Sequence, residues 1–563
     1  MKLYFSILTF FIFSFGFSQK QYPKNYFSPP LKVPVALAGT FGELRSNHFH
    51  SGVDIKTLGK EGLPIYAPAD GYISRIKVAQ YGFGKALYIK HPNGYTTVYA
   101  HLQKFAPHIQ QYVKNVQYQK ESYYTGNLFP DASKFPIKKG EIIGYTGDTG
   151  SSGGPHLHYE IRDSSTDHII NPLLFGLNAE DTKAPTIKSL MAFPLNEDSR
   201  INQSANKTVI NFKNMGNGTY LAESTNASGL IGLGIRAYDQ LNKAPNKNGL
   251  YSLEMKVNGE RVYYHDVETF SFAESKYINL LIDYEHYANY KKRIQKTYKV
   301  KGNKLSLYEH LKNDGKLMIR PGENYAIEII AKDYAGNTST LKLPIRGVKN
   351  NMIFRERDTT AYKITATNFQ KFHQKNVTLA FPKNSFYNDC YLHFTVEDGV
   401  AKVHEPTIPL DKKFTITFDI TQYPSPEKKQ LYIANVTKKK YPYYVSTKKK
   451  ENKAYATTKS LGSYTLMRDS MPPTITPVNF KNGQWISSHT VLQVKIDDDD
   501  SGIDDYTATI DGEWVLMEYN HKKGILTYDF SDKKLVGSKH LFNIVVSDNV
   551  GNTKTLSATF YRK

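Results

Sequence analysis

Cysteine is nearly absent: Cys390 is the only one in 563 residues. No intramolecular disulfide can form, so covalent cross-linking is excluded as the source of stability. Nothing beside Cys390 in sequence would lower a thiol pKa, so it reads as a small buried apolar side chain, not a nucleophile. Long apolar runs are equally scarce. The only one spans residues 3–17, behind Lys2 and ahead of Ser18 and Gln19. It is shorter than the roughly 20 residues a spanning helix needs. Residues 1–18 therefore read as a secretory signal cleaved before Gln19, with an uncleaved membrane anchor as the rival reading. After cleavage no stretch is expected to cross a bilayer, and no cysteine stands directly after the signal to carry a lipid. Acidic residues are in deficit, 52 Asp and Glu against 73 Lys and Arg, for a net charge of +21. On an exported chain that excess points to anionic envelope polymers or lipid headgroups, and away from nucleic acid.

What is present argues for β-structure. The chain is too long for one hydrophobic core, so several domains are expected. Its 42 tyrosines, with frequent Thr, Val and Ile, suit pleated, half-buried strands. The expected fold is mostly β: an N-terminal antiparallel-β domain followed by immunoglobulin-like β-sandwich modules. Residues 19–36 form a Pro-rich lead that should lie extended along the surface. Residues 37–176 carry short β-like runs, with His91-Pro92-Asn93-Gly94 as a hairpin turn. Within them, about 105–136 is less patterned; its start suits a short amphipathic helix, and a lid or groove wall would fit there. Residues 181–347 end in AKDYAGNTSTLKLPI, and 470–563 end in VSDNVGNTKTLSATF. The shared pattern, Asp333 or Asp548 followed by a Gly-Asn-Thr turn and a strand, reads as one sandwich module used twice. Residues 350–468 form a third β-rich segment without a nameable motif. Lysines at 438–440 and 448–450 flank tyrosines at 441, 443 and 444. They read as a solvated hairpin protecting an edge strand ahead of a binding patch.

Three short segments of residues 37–176 hold the ionisable side chains suited to chemistry. They are His50-Ser-Gly-Val-Asp54, Tyr99-Ala-His101-Leu102 and Gly154-Pro155-His156-Leu157-His158-Tyr159-Glu160. On a strand, residues i and i+2 share a face, so His156 and His158 project together while Leu157 enters the core. A hydrolytic zinc site needs three N or O ligands and a fourth position open to water. His50 and Asp54 can supply two and one strand histidine the third, leaving the other histidine and His101 for acid–base work. His48 competes with His50 as a ligand, and spacing to Asp54 favours His50. His91 reads as structural. Glu160 shares the face of the two histidines, but a surface or core-edge carboxylate is the favoured reading over a partner of a ligand histidine. The acids at 497–500, 504 and 505 raise calcium, but the regular spacing of a calcium loop is absent and solvated loop acids are the commoner case.

Taken in order, HxxxD (His50, Asp54), GYISRI after PADG, NGYTTVYAHL around His101, KKGEIIGYTGDTGSSGGPHLHYEIR and a closing INP resemble the LytM/lysostaphin-type zinc metallopeptidases, which cleave peptidoglycan peptides. The resemblance runs from about residue 41 to 172. It implies Zn2+ held by His50, Asp54 and His158, with His101 and His156 as the catalytic histidines. It also implies peptidoglycan stem peptides as substrate; the signal points to export, into the periplasm or envelope. The longer stretch between His101 and Lys138 departs from the family's short link and bears on groove shape, not on the metal site. A non-catalytic wall-binding regulator of other hydrolases is the alternative, and β-sandwiches used for adhesion or spacing a third reading. Relatives of the regulator kind have lost ligands or catalytic histidines, and the intact set here favours activity. Of the family's two bond types, glycine bridges and D-Ala–diaminopimelate cross-links, the direct cross-link is favoured.

Overall fold

A computed structural model describes residues 21–242, 244–349 and 359–563. The proposed signal, residues 1–18, lies outside the described residues. The protein is built almost wholly of antiparallel sheets, with few short helices. The first domain is organised on one sheet. Its strands run in the order Leu37–Gly39, Val53–Lys56, His156–Asp163, Tyr95–Ala100, Lys85–Lys90, Gly71–Val78 and Gly126–Leu128. Its inner face buries Val53, Ile55, Ile73, Ile76, Leu87, Ile89, Tyr99, Leu157, Tyr159 and Ile161. Register places the chemistry: His158 pairs with Asp54 on one side and with Ala100 on the other. The His-Leu-His strand thus lies between the HxxxD segment and the strand that delivers His101.

The less patterned stretch folds as the helix Pro107–Lys120, begun on a proline and ended by Glu121 in the left-handed region. It buries Ile109, Val113 and Gln117 at helical spacing and passes the chain to Gly126–Leu128 on the sheet edge. The Pro-rich lead departs from expectation. Tyr22 and Leu31 are buried, Tyr22 donates to Glu268 Oε1 at 2.7 Å, and Phe27 packs its ring on His91 and Phe175. Aromatic anchors between the prolines pull the lead into the first core rather than leaving it on the surface.

Three further β-rich cores follow, in residues 187–345, 364–464 and 480–560. The middle one lies between two five-stranded sheets, and the last between a four- and a five-stranded sheet. The lysine-rich hairpin supplies Tyr443–Val445 and Thr447–Lys450, each at a sheet edge. That is where charged side chains discourage edge-to-edge pairing. Cys390 is half-buried against the middle core, and burial pushes its thiol up to about 11.

The modules are stitched to the first domain. Thr269–Phe270 extends the first sheet by pairing with Ile169–Ile170, and Phe270 packs on Phe41 and on Phe49, the residue before His50. Phe270 is fully buried. Phe270→Ala is therefore expected to cost about 3–5 kcal/mol, read as a lower midpoint for the first transition in urea unfolding. The C-terminal module grips the helix Pro107–Lys120: Trp514 meets Tyr118 edge-on with centroids 5.2 Å apart, Lys533 lies over the Tyr118 ring, and Lys114 pairs with Asp532. Leu516 joins the first domain's core. At the junction of the first domain and residues 181–347, Asp181, Asp239 and Asp333 converge. Burial, and then the charges of Asp181 and Asp333, push the Asp239 carboxyl up to about 8.

Candidate metal centre and its flanking histidines

His50 Nε2, Asp54 Oδ1 and His158 Nδ1 meet at one point: 3.0 Å separates Asp54 Oδ1 from each nitrogen, and 3.1 Å separates the nitrogens. Ligand atoms held tetrahedrally at zinc bond lengths stand about 3.3 Å apart, so the set fits that ion. Proton placement makes the fit sharper. The outer nitrogen of each histidine faces an acceptor: His50 Nδ1 donates to the Thr40 carbonyl at 2.8 Å, and His158 Nε2 donates to Glu160 Oε1 at 2.9 Å. Both inner nitrogens are therefore lone pairs in the neutral rings, aimed at each other and at a carboxylate oxygen. Only a cation or an added proton reconciles three such groups. Burial alone would raise the Asp54 carboxyl, but His50 first, then the close imidazoles of His156 and His158, hold it well below the usual range. Burial likewise opposes charge on His158, yet its bonds to Asp54 and Glu160 push it up to about 9.

Close packing delivers these groups. A side chain at Gly52, between His50 and Asp54, would place its Cβ 2.4 Å from the Tyr159 carbonyl oxygen and 3.0 Å from His158 Cε1. Only glycine lets the HxxxD segment lie against the His-Leu-His strand. Arg45 Nη2 reaches Asp54 Oδ2 at 3.3 Å and Glu43 at 3.1 Å, fixing the carboxylate from behind.

Glu160 is a correction. It is fully buried rather than a surface or core-edge group, and it links His158 to Arg162, whose Nε donates to Oε2 at 2.7 Å. Burial raises the Glu160 carboxyl, but Arg162 and His158 outweigh that and bring it down to about 2. The ionised form stabilises the fold fully above the ordinary value of 4.5, and that contribution is lost as pH falls towards 2. Glu160→Gln keeps the shape but removes the charge. It is expected to weaken zinc binding by ~10–100-fold, measured by competition with a zinc chelator.

Two more histidines flank the triad. His101 Nδ1 donates to the Thr149 carbonyl at 2.8 Å, and His156 Nδ1 donates to the Gly154 carbonyl at 2.8 Å. Both therefore present Nε2 as the bare nitrogen, that of His156 lying 3.4 Å from Asp54 Oδ1. Their rings stand 4.8 Å apart. Burial first, then His158 and His156, bring His101 down to about 3, so it is neutral at physiological pH. Its backbone is left-handed, with φ of 62°, and is held by its N–H on the Phe83 carbonyl. That conformation costs about 1–2 kcal/mol outside glycine. The Thr149 loop is itself braced by the C-terminal module: Lys522 pairs with Asp148 at 2.9 Å, and Glu518 with Lys85 at 2.9 Å.

His48 stays outside the cluster with Nδ1 2.7 Å from the Ser46 carbonyl. His91 is bonded to the Asp70 carbonyl and Thr97. The supporting groups missing from the sequence reading are the Thr40, Thr149 and Gly154 carbonyls, Arg45 and Arg162. The backbone acceptors leave no sequence signal, whereas Arg162 continues the i, i+2 face that carries His156, His158 and Glu160.

Residues 48–119 match the Peptidase family M23 model, and residues 361–469, the segment without a nameable motif, match a Zu5-like domain. Among curated relatives, DD-carboxypeptidase/endopeptidase Mpg of Neisseria meningitidis is 35% identical over 134 residues, 24% of each chain. Peptidoglycan DD-endopeptidase ShyC of Vibrio cholerae is 35% identical over 127 residues, 23% of this chain and 22% of the relative. A solved zinc-containing peptidase from Vibrio cholerae aligns at 23% identity over 28% of this chain and 40% of that one, with a TM-score of 0.20. The chain thus spans about a quarter of the curated relatives it matches. Ahead of its β-rich modules, this chain carries a metallopeptidase domain that belongs to family M23.

Proposed function

We propose that the protein is an exported zinc-dependent endopeptidase that hydrolyses peptide cross-links of bacterial peptidoglycan, with the D-Ala–diaminopimelate bond as target. The observation that carries this reading is the convergence of three bare donor atoms beside two histidines whose outward nitrogens are also bare. When bound by His50, Asp54 and His158, zinc supplies Lewis acidity and lowers the pKa of water it holds. The chain's own residues do the rest. His101 and His156, each fixed by a carbonyl on Nδ1, offer Nε2 to take a proton from water and return it to the leaving amine. The same N–H-bearing forms, once protonated, stabilise negative charge on the carbonyl oxygen. Glu160 and Arg162 keep His158 in its binding tautomer.

The aligned relatives named as DD-endopeptidases support the D,D bond. The signal reading at residues 1–18 supports export to the periplasm or envelope. Among the described residues no helix is long and apolar enough to cross a membrane. The basic surface suits anionic envelope polymers. Digestion of sacculi of defined chemistry, with fragments identified by mass spectrometry, tests the assignment. Monomers freed by cleavage at D-Ala–diaminopimelate are the expected product. Intact cross-links with cleavage elsewhere, or none, would overturn it.

A further inference from the structure

Two carboxylate triads outside the peptidase site are built alike. Asp181, Asp239 and Asp333 bring oxygens within 4.8 Å of one another, and Asp469, Asp498 and Asp548 do the same. Each triad takes one acid from the segment entering a module (DTKAP at 181, DSMPP at 469) and one from the closing D-x-x-G-N turn. The correspondence reaches single bonds. Gly336 and Asn337 donate backbone N–H to Asp333 Oδ1 at 2.7 and 2.9 Å, and Gly551 and Asn552 donate to Asp548 Oδ1 at 2.8 and 2.9 Å. Asn337 Nδ2 then bridges Asp333 Oδ2 and the Asp181 carbonyl at 2.8 and 3.3 Å. Asn552 Nδ2 bridges Asp548 Oδ2 and the Asp469 carbonyl at 2.7 and 3.2 Å.

Further backbone N–H groups reach Asp181, Asp469 and Asp498, from Lys183, from Met471 and Ser501, and from Gly502, but all these donors are neutral and bring no positive charge to either triad. Asp239 is 2% exposed, yet its Oδ1 has no hydrogen-bond partner among the described residues. Asn248, opposite Asp239 on the pairing segment, is equally buried with both amide atoms unpartnered. In the second triad Asp469 is 0% and Asp548 1% exposed. Ser501, whose N–H donates to Asp469 Oδ2 at 3.2 Å, keeps a buried hydroxyl without a partner. No basic side chain forms an ion pair with any of the six acids among the described residues. Carboxylates that converge in a buried site without a cation repel one another and lose hydration, at a cost of several kcal/mol. An all-oxygen set of carboxylates and neighbouring carbonyls, with no nitrogen or sulfur, is the donor set of a hard divalent cation. Such irregular, loop-borne oxygens suit the flexible coordination of calcium more than the strict octahedron of magnesium.

We propose that each triad binds one calcium ion and thereby locks the junction at which its module begins. Both sites sit where a neighbour docks. Tyr334, next to Asp333, donates to the Leu173 carbonyl of the first domain at 2.7 Å; Tyr432, of the preceding module, donates to the Asp500 carbonyl at 3.3 Å. The ion ties the entering segment to the closing turn, so these joints hold one angle.

Equilibrium dialysis of the full zinc-loaded chain against radioactive calcium tests this, with zinc content followed in parallel. The wild type is expected to retain one calcium per triad and to melt at higher temperature as calcium rises. Asp181→Asn and Asp498→Asn, at the half-buried member of each triad, should each lose one calcium and together lose both, with zinc and circular dichroism unchanged. Terbium emission sensitised by nearby tyrosines and quenched by calcium repeats the test on the wild-type chain without any substitution. A wild type that holds no calcium at millimolar concentration and shows no such emission would overturn the proposal. So would a double variant that folds and binds as much calcium as the wild type.

Discussion

His158→Ala is expected to lose bound zinc and hydrolysis of sacculi together while keeping the fold. His158 Nδ1 stands within 3.1 Å of both other donors, so its removal leaves a two-point site open to solvent. Catalytic zinc sites hold the ion with three protein ligands, and two do not compete with water and buffer. The strand itself survives the change. Its register rests on backbone pairing with Val53–Lys56 and Tyr95–Ala100, and on Leu157 and Tyr159, whose side chains fill the core. Elemental analysis, circular dichroism and fragment release give the three readouts. Full hydrolysis by the variant would remove the metal from the reading altogether.

His101→Asn separates chemistry from metal binding. The expected result is zinc retained at wild-type content with turnover lowered by ~10²–10⁴-fold, the range of a positioned acid–base group. Asn is chosen because position 101 has φ of 62°, a conformation Asn tolerates better than Ala. His156→Ala makes the companion variant. If one histidine takes the proton and the other returns it, the two variants lose opposite limbs of the pH–rate profile. A loss below about tenfold in both would show that neither moves a proton in the rate-determining step.

The legible and illegible parts of this protein divide by sequence distance. The His-Leu-His alternation exposes a strand face locally, and HxxxD needs only five residues, so the five ionisable groups were readable from the chain. For Glu160 the sequence shows the face but not the environment. Its face was clear from alternation, but burial depends on Arg162 folding back over it and on Gly52 packing from another strand. The lead was misread because composition flags prolines, while Tyr22 and Leu31 find their pockets only after Phe175 and Glu268 arrive. No local pattern marks Thr269–Phe270 as an added strand of the first sheet. The acid triads were hidden for the same reason. The run at 497–500 looked like loop acids because the partners of Asp498 lie at 469 and 548.

The grip of the C-terminal module on the helix Pro107–Lys120 sets an order of assembly. Residues 107–120 are made early, but Trp514, Asp532 and Lys533 are made some 400 positions later. Closing so long a loop is entropically slow, and until it closes the helix shows its Tyr118 flank to solvent. The brace on the Thr149 loop, and through it on His101, arrives at the same late step. A nascent or clipped chain lacking residues 514–533 would hold His50, Asp54 and His158 in place and His101 less firmly. The positioning of His101 is thereby tied to the docking of residues 514–533.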